Sequence, residues 1–80
     1  MTDTSAVEQS VVDMPVGSGL RVTTITGGSA IRLQELGLRA GTAARVVQIT
    51  HGGGRMLAFL GTRVAVSAEA AAGIRGVVTA

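Results

Sequence analysis

Seven arginines, five carboxylates and a single histidine are the charged and titratable side chains with which this 80-residue chain could do chemistry. Cysteine and lysine are absent, so a thiol nucleophile, a disulfide and a thiolate metal site are excluded. His51 is the one metal-ligand candidate. A metal there would need carboxylates close by, and the nearest acids in sequence are Glu35 and Glu69. The ordinary reading of His51 is a solvated side chain beside a turn. Met1, Met14 and Met56 form no soft-ligand cluster in sequence, and Met56 is expected in the core. Gly52-Gly53-Gly54 resembles a phosphate loop only superficially. Such a loop needs a Lys-Ser or Lys-Thr after it, opening a helix, whereas here a strand pattern follows. No Ser-His-Asp spacing with a signature and no carboxylate pair on one element is present, so the chain is expected not to be an enzyme.

The arginines are the other chemical resource. The first is Arg21, whereas three of the five acids precede it, so the folded part is basic and the N-terminal end acidic. Arg32, Arg39, Arg45, Arg55 and Arg63 could form a face for an acidic partner or a nucleic acid. Barrels that bind single strands add aromatic stacking platforms. With no Tyr or Trp here, nucleic acid is not the expected partner.

The element that must position these groups is Arg32-Leu33-Gln34-Glu35-Leu36-Gly37-Leu38-Arg39-Ala40-Gly41. Leu33 and Leu36, three apart, share a helical face, while Arg32, Glu35 and Arg39 point to water. Gly37 suits the left-handed position that closes a helix, and Leu38 folds back on Leu33 or Leu36. Ser29 is the expected N-cap. Around this helix the pattern is of short strands between glycine turns: residues 20–26, 42–51, 55–60, 63–66 and 74–78. Ile25 breaks the alternation set by Leu20 and Val22, which a bulge or burial on both faces would account for. Ser67 caps a short helical turn over 68–72, and Gly73 ends it. Five short strands with a helix after the first suggest a small closed all-β barrel.

Length allows one small domain. Residues 1–15 are polar and acidic and read as a flexible arm, although Val11, Val12, Met14 and Val16 could close one edge of the barrel. Residues 16–80 form the barrel domain. Hydrophobic residues are 46% of the chain but aromatics only 1%, so the core must come from aliphatics and Phe59. The mean hydropathy is positive. A domain this small leaves apolar surface exposed, ready to dock on something. The sequence shows neither a secretory signal pattern nor an apolar run of the roughly 20 residues that a membrane helix needs. A cytoplasmic protein is expected, with any membrane role exerted through a partner.

The order of these segments resembles a known family. Gly19-Leu20-Arg21-Val22 leads to Arg32-Leu33-x-x-Leu36-Gly37-Leu38-x-x-Gly41, then to Val46-Val47, a glycine hairpin and Gly61-Thr62-Arg63-Val64-Ala65-Val66. Glu69-Ala70 and Ile74 close the pattern, which over about residues 16–78 is similar to the FeoA family, small accessory proteins of bacterial ferrous iron transport. The resemblance implies an SH3-like β-barrel of about five strands with short inserted helices. It implies a non-enzymatic regulator or assembly factor that contacts the cytosolic GTPase region of a FeoB-type membrane permease, with localisation peripheral to the inner membrane through that partner. No cofactor is implied, although ferrous iron or another divalent metal is a conceivable ligand. Ala40 replaces a proline common in the family, and the His51–Arg55 hairpin lacks the family's frequent prolines, which loosens that tip.

The expected roles follow. Leu33, Leu36, Gly37, Leu38 and Gly41 form the structural motif; Arg32, Leu36, Arg39, Gly52, Gly53 and Arg55 form the candidate partner surface. Leu36→Asp is expected to unfold the domain, because it would bury an unpaired charge. Self-association through a strand edge is a further expectation. The competing readings are a metal-responsive barrel related to those of iron-dependent repressors, and a small nucleic-acid-binding barrel.

Overall fold

The computed structural model describes residues 7–79. β-branched and aliphatic residues flanked by glycines make six strands: β1 (Glu8–Ser10), β2 (Gly19–Ile25), β3 (Ala43–Ile49), β4 (Arg55–Phe59), β5 (Thr62–Val66) and β6 (Ile74–Val78). Two short helices interrupt them, α1 (Ala30–Glu35) and α2 (Ala68–Ala72). The strands form one sheet in the order β1-β6-β2-β3-β4-β5, and every pairing is antiparallel. The architecture is mainly β, as the sequence suggested, and SH3-like. Among the described residues, however, β1 and β5 do not pair with each other. The barrel is curled but not closed by hydrogen bonds.

The inward faces supply the core. Leu20 and Val22 on β2, Val46 on β3, Leu57 and Phe59 on β4, and Ile74 on β6 are all buried. Their period-2 alternation is the pleat expressed as packing. The register of β2 against β6 shifts between Val22 and Thr24. Of the two explanations for Ile25, this is the bulge, and it lets Ile25 pack against the core from the other phase.

The N-terminal segment is where the sequence reading and the structure part most. Glu8–Ser10 pairs with β6 (Glu8 opposite Val77), whereas Val11 and Met14 are buried within the core, as their expected place at the barrel edge implied, and Val16 is exposed. Residues 8–14 of the expected arm therefore belong to the folded unit, because their apolar side chains close the barrel end. The arm's residues 1–6 lie outside the described residues. The strand expected to run to Leu60 stops at Phe59. Leu60 and Gly61 instead form a two-residue turn, both at positive φ (50° and 75°), with Phe59 opposite Thr62. Met56, expected in the core, is only half-buried, since Arg55, Leu57 and Phe59 take the inward positions. The strand expected over 42–51 is trimmed to β3, because His51 opens a 3-10 turn, His51–Gly53.

Candidate functional site

α1 is too short to hold itself together and is fixed at its end. The Leu38 N–H donates to the Leu33 carbonyl (2.9 Å) and the Gly37 N–H to Gln34 (3.0 Å). This is the paired closure that a left-handed glycine permits, here with Gly37 at φ +106°. Leu33 and Leu38 are both buried and pin the helix to the barrel. Gly41, also at positive φ, donates to the Val22 carbonyl at 2.7 Å and returns the chain to β3. At the other end Ser29 occupies the N-cap position without bonding through its side chain. Ser67 does cap α2, accepting from the Ala70 N–H at 3.1 Å.

Leu36 is not part of that anchoring. Its side chain is 46% exposed, so the expectation that it shares the buried face of Leu33 is corrected. Residues three apart on a helix differ by about 60° in direction. Leu33 points into the barrel and Leu36 to its rim. The unfolding forecast for Leu36→Asp falls with it.

Arg55 is corrected in the opposite sense. It is only 9% exposed and faces inward on β4. Its Nη2 donates to the Val12 carbonyl (3.0 Å) and its Nη1 to the carbonyls of Gly53 and Gly54 (3.2 Å to Gly54), while Nε is buried without a partner. The guanidinium ties a 3-10 turn at Val11–Asp13 to the glycine loop and is not available to a partner. Gly52 and Gly53 are exposed, with Gly53 lying near Ala68 at the start of α2. His51 is exposed in the same loop. Among the described residues no three His, Cys, Asp or Glu side chains are grouped to hold a metal.

The remaining predicted residues meet along α1. Arg32, Leu33 and Leu36 line one wall of a groove of about 280 Å³, and Val64, Val66 and Ala70 line the other. Arg32 is the charged side chain in that lining. Arg39 is exposed just past the helix, its Nη2 donating to the Gln34 carbonyl at 3.0 Å. A shallower hollow of about 660 Å³ lies on the outer face of β3, β4 and β5. There Arg45, Ala58 and Arg63 stand in register across three strands, and Arg45 Nη1 donates to the Gly17 carbonyl at 2.6 Å. One ion pair forms among the described residues, Arg75 to Glu8 at 3.0 Å. The Thr23 hydroxyl and then Arg75, both bonding the Glu8 carboxylate, hold its pKa below the usual value.

Sequence reasoning missed Leu60. It is 73% exposed and lies against Gly37, immediately beyond Leu36. The available signal was Leu-Gly between two strands, where a two-residue turn prefers Asn-Gly or Asp-Gly.

A family model described as FeoA domain matches residues 10–77 of this chain. The fold is similar to the crystal structure of an iron uptake regulatory protein (FeoA), at a TM-score of 0.80 and 21% identity. That match covers 91% of this chain and all of the other. It is similar to the solution structure of the FeoA protein from Chlorobium tepidum, at a TM-score of 0.81 and 23% identity, over 90% of this chain and 71% of that one. It is also similar to a manganese-dependent transcriptional repressor, at a TM-score of 0.82 and 17% identity, covering 92% of this chain but 43% of the repressor. No curated protein matches the sequence.

Proposed function

The chain belongs to the FeoA family, which ties it to ferrous iron transport, and from that premise we propose that it is a non-enzymatic accessory protein. It acts by binding a FeoB-type permease through that protein's cytosolic GTPase region, and it resides in the cytoplasm, reaching the membrane through its partner. No helix among the described residues is long and apolar enough to cross a membrane. The observation that carries this reading is the solvent-facing apolar surface formed by Leu36 and Leu60 beside Arg32 and the groove. A domain this small gains nothing in stability from leaving two leucines in water, and such surface marks interaction sites.

The test is a backbone amide NMR titration with the cytosolic GTPase domain of a ferrous iron permease from the same source. Shifts confined to Arg32, Leu36, Arg39 and the residues around them are expected. Absence of any shift at millimolar partner overturns the reading.

A second reading, a metal-responsive regulatory barrel, is supported by the likeness in fold to the manganese-dependent repressor. Calorimetric titration of the free protein with Fe²⁺ and Mn²⁺ separates the two: saturable binding to the isolated chain favours the second.

A further inference from the structure

The groove beside α1 runs along the terminal strand of the sheet. β5 pairs with β4 on one side and, among the described residues, has no strand on the other. The two-residue turn sets which of its backbone groups are free. Phe59 and Thr62 flank that turn, so they form a hydrogen-bonded pair, and the pattern alternates from there. Val64 opposite Leu57 and Val66 opposite Arg55 then also bond to β4. The N–H and C=O of Arg63 and Ala65 point away from the sheet, a ready edge for one more strand.

The apolar surface adjoins the start of that edge. Leu60 holds φ +50°, a conformation that is strained for a leucine and that Asn or Gly adopts more easily. The strained side chain is not repaid by burial, since it is mostly exposed, its tip lying over the face of Gly37 where a Cβ would stand. Strain of this kind, kept at an exposed position, points to a contact made outside the chain.

We infer that β5 accepts an extended, acidic and apolar segment of a partner protein as a seventh strand, with Leu60 and Leu36 as its apolar anchor and Arg32 and Arg63 as its charge contacts. The inference rests on the proposed protein–protein role and names its surface. The occupant is acidic because the charged side chain in the groove, Arg32, and the one on β5, Arg63, are cationic and make no salt bridge among the described residues, while Glu69 lines the adjoining hollow rather than the groove. A second copy of this chain would bring further arginines to a surface already positive, and repulsion disfavours it. Side chains alternating along the added strand enter the groove between α1 and β5, while its backbone bonds Arg63 and Ala65.

The test uses the full chain with two probes, the permease GTPase domain and a synthetic peptide alternating Glu and Val; a Lys-Val peptide is the control. The expected result is slowed amide exchange at Arg63 and Ala65 with shifts at Leu36 and Leu60, for the acidic probe and not the basic one. Ala65→Pro removes only an outward N–H, so it stays folded and lowers affinity at least tenfold. Leu60→Asn raises the thermal midpoint and lowers affinity several-fold. Peptide binding on β5 without permease binding refutes the permease role and keeps the edge site. Permease binding that Ala65→Pro leaves unchanged refutes the edge site and keeps the permease role. If neither probe touches β5, the edge site is wrong.

Discussion

Leu60 lies across Gly37: a Cβ placed on that glycine would stand 2.6 Å from the Leu60 Cδ1. The two residues come from opposite ends of the β3–β4 excursion, and their contact joins the end of α1 to the β4–β5 turn. It is made possible by a glycine already needed for another purpose, since Gly37 at φ +106° closes the helix. Gly37→Ala should therefore cost about 1–2 kcal/mol, from the left-handed conformation rather than from the collision. Leu60 is exposed and its tip swings aside cheaply. A double-mutant cycle with Leu60→Ala, read by urea unfolding, should show coupling below about 0.5 kcal/mol. Coupling of 1 kcal/mol or more would mean that the contact itself is structural.

Leu33 and Leu36 should separate cleanly. Leu33→Ala opens a cavity under α1 and should cost about 2–5 kcal/mol. Leu36→Ala should stay within about 1 kcal/mol of the parent, as expected for a side chain half in water. Chemical denaturation of both variants checks this, and equal losses would put Leu36 back in the core.

Arg55→Met keeps the aliphatic stem and deletes the bonds to the carbonyls of Val12, Gly53 and Gly54. Losing these partly buried bonds from a charged donor should cost about 1–3 kcal/mol, even though the Gly54 carbonyl keeps the Thr50 N–H. Amide exchange in the His51–Gly53 turn and in the Val11–Asp13 turn should quicken together, because one guanidinium holds both. Arg55→Lys should not restore them, since a single ammonium lacks the fork. Unchanged exchange in either turn would show that the arginine is dispensable there.

Glu8 should titrate below 4.5, its ordinary value. Its carboxylate is held by the Thr23 hydroxyl and by Arg75, and both partners favour the charged form. A lowered folded pKa gives a contribution that is present above the unfolded value and is lost as pH falls through the folded one. The β1–β6 pairing should thus loosen below about pH 4.5, ahead of the rest of the sheet. Carboxyl NMR resonances followed from pH 7 to 2 give the value directly. A Glu8 pKa at or above 4.5 would remove the carboxylate from any role in holding β1.

Much of this protein was legible as sequence because the information was local. The Leu33-to-Gly41 run specifies a helix, its glycine closure and the return of Leu38 within ten residues, and all three are formed as read. Glycine-bounded β-branched runs located β2 to β6 to within a residue or two, since alternation and turn chemistry act over neighbouring positions. The Ile25 misfit pointed to a bulge or to burial on both faces, and the register shift between Val22 and Thr24 decides for the bulge.

Tertiary structure decided what depends on residues far apart in the chain. Glu8–Ser10 has no strand signal of its own and becomes β1 because β6, some 65 residues later, offers it an edge. Spacing placed Leu33 and Leu36 on one stripe, but only the barrel's position settles which edge of that stripe is dry. Arg55 looked like a surface charge because a guanidinium is costly to bury; carbonyls from the Val12 and Gly53–Gly54 backbones make that burial tolerable. The candidate site exists on the same terms. Arg32 and Leu36 were visible as a pattern, whereas the free edge of β5 and the leucine leaning on Gly37 arise only when the sheet ends where it does.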